Sequence, residues 1–284
     1  EKLRRAHLTV LAIEEPENSL SPFFLSRIMA QAREIGALPS AQVVLSSHSA
    51  SILGRVEPEE IRYFRLDRPR RRAIVRPLTL PHGDADARQY VRLAVRAYPE
   101  LYFARFVVLG EGESERIVLP RVAESMGIAL DSSFVPVVPL GGRYVDHFWR
   151  LLNDLGIPHA TLLDLDLGRR HGGANLIRSI VVSLAAVDVD FTDTVEYMLG
   201  DINPADIAAL DDATLLAGVG GSPWLQALQD KGVFFSHPID LDFAMLMAFP
   251  DAYRNARPGG HGPRASAAAI QAKKEVTLKT DGNP

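Results

Sequence analysis

The chain has 284 residues, 47% of them apolar and 23% charged, the balance of a globular protein with room for one large or two ordinary domains. Its longest apolar stretch, residues 180–189, is broken by Ser183 and Asp188, so no membrane span is expected. The absence of cysteine excludes a disulfide framework, a thiolate zinc site and a cysteine nucleophile. Thirty-one Lys and Arg against 35 Asp and Glu leave a net charge of −4, so a nucleic-acid partner would need local positive charge or bound metal ions.

The chain opens on Glu1, straight into a strand-like segment, and reads as a fragment in which no targeting signal can be judged. Leu8 to Ile13 is an unbroken apolar run ending in carboxylates, the pattern of a buried parallel strand. A helix follows, with Ser21 as cap and Pro22 at its first position. Leu25, Ile28, Met29, Ala32 and Ile35 line one face, and Gly36 is the stop. Val43 to Leu45 is a second strand, and IRYFRL with AIVRPL forms a hairpin. Between Pro81 and Pro99 the spacing of Tyr90, Leu93, Ala94 and Ala97 predicts a connecting helix.

A second alternation then begins. It runs through strand Phe106 to Leu109, a helix from about Ser114, strand Phe134 to Val138, helix Tyr144 to Leu155 and strand Ala160 to Leu165. Right-handed crossovers make this β-α-β-α-β unit a parallel sheet. Pro120 should leave the helix after Ser114 short, kinked or restarted. Residues 175–229 read as mostly helical, Val233 to Ser236 as a strand leading into a helix, and Ser266 to Val276 as a last helix.

Two constellations carry chemistry. In the first, Glu14, Glu15 and Glu17 follow one strand and Ser46-Ser47-His48-Ser49 follows the next. Three carboxylates at a strand end repel unless a cation or water network uses them, although a solvated turn explains the acidic run alone equally well. In the second, Glu111 ends a strand and Glu115 lies in the first turn of a helix. The two converge on one face while Glu113 points elsewhere. Asp164 and Asp166 end the third strand of the same unit, where alternation puts them on a common side. Four oxygen ligands meeting at one parallel-sheet edge suit a pair of hard divalent cations, Mg²⁺ or Mn²⁺, the arrangement used for phosphoryl transfer.

The first constellation resembles the C-terminal half of an ABC-type ATPase head of the kind found in DNA-repair and OLD-family (overcoming lysogenisation defect) proteins. That resemblance implies that Glu14 is the metal-side group, Glu15 the base that orients the attacking water, and His48 the switch histidine that senses the γ-phosphate. No G-x-x-x-x-G-K-[ST] occurs, so this chain by itself is not expected to hydrolyse ATP. The second constellation resembles the Toprim domain of topoisomerases, primases and OLD-family nucleases. An ATPase head followed directly by Toprim is similar to the OLD family in particular, with 1–80 as ATPase part, 81–100 as connecting helix, and 101–284 as a Toprim nuclease domain with a helical insertion at about 175–229.

The resemblance implies DNA cleavage by two-metal catalysis at Glu111, Glu115, Asp164 and Asp166, with a further acidic motif and a late lysine. Asp240 and Asp242 are candidates for the former, as an amphipathic strand end is for their spacing, and Lys273 or its neighbour Lys274 for the latter. It also implies ATP for the full-length protein, a homodimer, a partner helicase, a bacterial cytoplasmic setting, and a role in phage defence or DNA repair.

Arg143, Arg169 and Arg170 are candidate contacts to DNA phosphates, while the basic hairpin tip, Arg68 and Arg70 to Arg72, reads more simply as a soluble turn. His147, His159 and His237 lack partners at ligand spacing and read as structural. A topoisomerase needs a separate domain bearing a tyrosine nucleophile and a primase usually carries zinc-binding cysteines, neither of which is found here. The alternative of a different class is a non-catalytic DNA-binding or dimerisation module controlled by the ATPase head.

Overall fold

The computed structural model describes residues 7–18, 20–67, 70–80, 85–141, 145–187, 210–218 and 222–249. The chain divides into two compact units, residues 1–104 with 154–156, and residues 105–153 with 157–284.

In the first unit, β1 (Thr9–Glu14) and β2 (Ala41–Ser46) pair in parallel, Thr9 opposite Ala41 and Glu14 opposite Ser46. Helix α1 (Pro22–Gly36) connects them and turns Leu25, Met29 and Ala32 inward. Leu25 and Met29 pack with Ile52 of the short helix α2 (Ala50–Leu53), and Leu45 and Val56 border that cluster. Two expectations need correction. Ser21 stands at the N-cap position, but its side chain makes no capping hydrogen bond. Strand β1 is parallel but not buried: Leu8, Val10 and Leu11 are exposed, as is Val44 on β2. Each strand has a single hydrogen-bonded neighbour among the described residues, and an apolar parallel strand is buried only where further layers pack on both of its faces.

The hairpin forms as expected, β3 (Arg62–Asp67) antiparallel to β4 (Arg72–Pro77). Helix α3 (Ala85–Ala97) buries Val91 and leaves Leu93 exposed, so its inward face is rotated from the one its apolar spacing suggested. Arg88, Arg92 and Arg96 on α3 pair with Glu59 and Glu57 of the turn before β3, an ion-pair network that ties helix to hairpin.

The second unit is built on four parallel strands in the order β6-β5-β7-β8, with β5 at Val107–Gly110, β6 at Val137–Pro139, β7 at His159–Asp164 and β8 at Val233–Ser236. The first three strands are the expected unit. Strand β8 adds to the free edge of β7, so residues more than 70 positions apart share one strand end.

Helix α4 (Glu113–Ser125) follows β5 and α5 (Val145–Leu155) follows β6. Helix α4 continues through Pro120 as one element and is neither ended nor restarted there. Helix α5 supplies much of the core: Phe148, Trp149, Leu151, Leu152 and Leu155 are all buried, and the indole N–H of Trp149 donates to Thr161 Oγ1 on β7 at 2.8 Å. After β7 come α6 (Ala174–Ala185), the single turn α7 (Asp212–Leu215), α8 (Pro223–Asp230) and α9 (Leu241–Ala248). The middle of the expected insertion and the helix at Ser266 to Val276 lie outside the described residues. No helix among the described residues is long and apolar enough to cross a membrane.

Candidate active site

The C-terminal ends of β5 and β7 place the acidic residues. Strand β5 stops at Gly110, and Glu111 follows it, its Oε2 accepting the backbone N–H of Asp164 at 2.8 Å. This single bond joins the two motifs across adjacent parallel strands, which is how residues 53 apart come to share an edge. Glu115 lies one turn into α4, only 2% exposed, and its Oε2 accepts the Gly112 N–H at 2.6 Å. It is the one buried charged residue among the described residues. Gly110 makes room for it, since a Cβ there would stand 2.5 Å from the Glu115 Cβ. Glu113 turns outward and pairs with Arg116.

Asp164 ends β7. Its Oδ1 accepts from Ser236 Oγ at 2.6 Å and from the Leu241 N–H at 3.1 Å, so the edge strand β8 and the start of α9 both hold it. Asp166 does not continue the alternation expected of an extended segment. Its φ is +50°, its N–H donates to Ile239 O at 2.8 Å, and Arg169 Nη1 lies 2.6 Å from its Oδ1. Asp240 caps α9 through the Phe243 N–H at 2.7 Å and stands 3.5 Å from Arg169 Nη2. Asp242, in the first turn of α9, accepts from Ser114 Oγ of α4 at 3.3 Å.

Among the described residues no group of three or more acids or histidines stands close enough together to hold a metal ion. The expected meeting of four ligands is therefore not preformed. Like charges at one edge separate, and each carboxylate instead takes the nearest N–H, hydroxyl or guanidinium. The electrostatics nonetheless fit a hard cation. Burial pushes Asp164 up to about 7, with the charges of Glu111 and Glu115 adding to the shift and the bonds from Ser236 and Leu241 opposing it. Burial likewise raises Glu111, opposed by the Asp164 N–H and Arg169 and helped by Asp166 and Glu115, and raises Asp166, opposed by Arg169 and helped by Asp240. Carboxylates with hard oxygens, part-buried and mutually repelling, are the donor set that Mg²⁺ or Mn²⁺ prefers.

These shifts have a sign. A folded Asp164 that keeps its proton to about pH 7 binds more protons than the unfolded chain, whose aspartates lose theirs near pH 4, so stability falls as pH rises across that window. Asp164 is only part-buried, and solvent screening reduces the effect to on the order of 1–2 kcal/mol. In EDTA the chain is expected to melt a few degrees higher at pH 5 than at pH 8, roughly 2–6 °C. Asp164→Asn should lose much of that slope, and an equal slope in the variant would assign it to other groups.

In the first unit, the parallel register of β1 and β2 brings the acidic turn beside the serine-histidine turn. Glu15, with φ +43°, accepts from Asn18 at 2.6 Å and stands 2.9 Å from His48 Nδ1. Ser47 Oγ donates to Glu17 Oε1 at 2.6 Å. Glu14 is the last residue of β1 and exposed. The structure thus joins Glu15 to His48 and leaves Glu14 beside them on the strand.

Arg170 is exposed, and its backbone carbonyl accepts from Asn175. His159 is half-buried, with Nδ1 3.1 Å from Ile157 O, and burial lowers its pKa. Arg143, Lys273 and Lys274 lie outside the described residues. Ser236 and Gly172 were not singled out from the sequence as site residues, and Ser236 left a signal there as the polar end of an apolar strand.

Residues 102–166 match the family model "Overcoming lysogenization defect protein-like, TOPRIM domain", and residues 3–54 match that of an AAA domain of the AbiEii, type IV TA system group. Over 77 residues the chain is 34% identical to Endonuclease GajA of Bacillus cereus (strain VD045). Over these segments the chain is similar to the OLD family. The aligned part makes up 27% of this chain and 13% of GajA, so it spans about an eighth of that relative. Two solved structures are similar as well. The C-terminal region of the Xanthomonas campestris pv. campestris OLD protein is 21% identical, with 62% of this chain and 72% of that one covered and a TM-score of 0.36. The corresponding region of the Burkholderia pseudomallei OLD protein is 21% identical over 62% and 73%, with a TM-score of 0.39.

Proposed function

We propose that this chain is the nuclease-bearing part of an OLD-family, ATP-regulated endonuclease that hydrolyses DNA phosphodiesters. The observation that carries this reading is the carboxylate edge: Glu111 and Asp164 joined by a hydrogen bond, Glu115 buried beside them, and Asp164 pushed up to about 7. Glu111, Glu115, Asp164 and Asp166 would hold two divalent cations, Mg²⁺ or Mn²⁺, with Asp240 and Asp242 as outer carboxylates. Such ions supply charge neutralisation on the phosphate and acidify water at neutral pH.

The protein's own residues position and exclude. Ser236 and the Leu241 N–H fix the rotamer of Asp164, and the Gly112 N–H fixes Glu115. Arg170, with Arg143, is the proposed contact to DNA phosphate, and Lys273 the cation that stabilises the extra negative charge of the pentavalent phosphate.

The domain reading, 1–80 as ATPase part, 81–100 as connection and 101–284 as Toprim domain, belongs to the same proposal. So do ATP, with Glu14, Glu15 and His48 acting only in a complete ATPase head, a homodimer, a partner helicase, a bacterial cytoplasmic setting, and phage defence or DNA repair.

Supercoiled plasmid incubated with the purified chain in EDTA, Mg²⁺ or Mn²⁺ tests the reading. Nicked and linear forms are expected with metal and none in EDTA. If the full-length protein with ATP and either metal also leaves the plasmid intact, the chain is a non-catalytic DNA-binding or dimerisation module instead.

A further inference from the structure

The acids at this edge fall into two sets according to what faces them. Glu111, Glu115 and Asp164 take only neutral hydrogen-bond donors, the Asp164 N–H, the Gly112 N–H, and the Ser236 hydroxyl with the Leu241 N–H, and Arg169 reaches Glu111 through its charge alone. Asp166 and Asp240 instead share one guanidinium. Arg169 Nη1 lies 2.6 Å from Asp166 Oδ1 and Nη2 lies 3.5 Å from Asp240 Oδ2. All three side chains are part-buried, between 22% and 32% exposed, so this bridge is less screened than a surface pair.

The backbone builds the bridge. Asp166 sits in the left-handed region and its carbonyl accepts the Arg169 N–H at 2.9 Å, a turn that returns the arginine to the acid three residues before it. The Asp166 and Leu167 N–H groups donate to Ile239 O and Pro238 O, which pins this turn beside Asp240. Asp240 uses its other oxygen on the Phe243 N–H. A fixed positive charge therefore spans two carboxylates from different connections, a task otherwise suited to a bridging divalent ion.

We propose that Arg169 is the built-in counter-ion of the Asp166 and Asp240 half of the site. The chain then takes one divalent cation readily at the Glu111 and Asp164 half, and a second only after the guanidinium moves off. The inference rests on the metal-dependent reading of this edge and assigns Arg169 a positioning and gating role rather than a standing contact to DNA.

Mn²⁺ titration of the full chain without DNA at pH 8, with free ion counted by electron paramagnetic resonance, tests it. The wild-type chain is expected to bind one ion tightly. Arg169→Gln should bind two, or hold the second at least about tenfold more tightly, about 1.4 kcal/mol. Arg169→Lys, which keeps the charge but loses the fork, should fall between and guards against a folding defect in the first variant. Two tight ions in the wild type, or identical titrations for wild type and both variants, would overturn the role of Arg169 while leaving metal binding intact. No bound Mn²⁺ in any of the three would overturn both.

Discussion

Asp164→Asn is expected to lower metal-dependent plasmid nicking on the order of 10³-fold, about 4 kcal/mol of transition-state stabilisation. The substitution is chosen because it separates charge from architecture. Both bonds that Asp164 accepts, from Ser236 Oγ and from the Leu241 N–H, fall on Oδ1, and an asparagine carbonyl accepts them equally well. Its backbone N–H, which holds Glu111, is untouched. What disappears is one negative charge from the centre of the edge, where a cation would otherwise be bound. Because burial makes that charge costly in the ion-free chain, the variant should melt no lower than wild type at pH 8. Nicking rates under single-turnover conditions, with melting curves alongside, provide the check. Nicking within threefold of wild type would remove Asp164 from the catalytic set.

Gly172→Ala should be the most destabilising small substitution near the site. A Cβ at Gly172 would stand 2.0 Å from the Asp166 carbonyl oxygen, 2.5 Å from its Cβ and 2.6 Å from its carbonyl carbon. Two of these atoms are backbone, so no rotamer change relieves the overlap, and the turn from Leu165 to Gly173 has to open. That turn is closed by Gly173 N–H to Leu165 O at 2.6 Å and Gly172 N–H to Arg169 O at 3.1 Å, and it carries both Asp166 and Arg169. Overpacking against backbone costs roughly 2–4 kcal/mol, which lowers the melting temperature by about 4–16 °C in a unit of this size. Gly127→Ala serves as the control: φ is +78° there but nothing lies within 4 Å, so only the backbone strain of about 1 kcal/mol applies. Equal melting temperatures for the two variants would show that the turn yields easily.

The reach of sequence reasoning differs between the two ends of the site. Glu111, Glu115 and Asp164 were legible because each follows or closes an apolar strand in a strand-helix alternation, and parallel strands put such ends on one edge by topology alone. Extended alternation does not carry Asp166 beside Asp164, because β7 ends at Asp164 and a positive φ at Asp166 breaks the alternation. Asp240 and Asp242 were noticed only by their spacing. Asp240 caps α9 locally, whereas its ion pair with Arg169 and the meeting of Asp242 with Ser114 depend on β8 having added to β7 and so brought a distant segment alongside. Strand β1 errs in the opposite direction, since an apolar run records what a strand can bury and not how many neighbours cover it.

Hydrophobic periodicity, caps and strand-end carboxylates are properties of short stretches, and they alone determined the order of elements, the parallel central unit and the acidic character of its edge. The long-range partners of these carboxylates were decided by tertiary structure, whereas Gly112 on Glu115, Arg169 on Asp166 and Phe243 on Asp240 are partners three residues away. Arg169 on Asp240 and Ser236 on Asp164 are contacts in space, made where connections from separate strands converge. A hydrogen bond or ion pair forms with whichever donor the fold brings within about 3 Å, and the spacing of residues along a chain does not encode that distance.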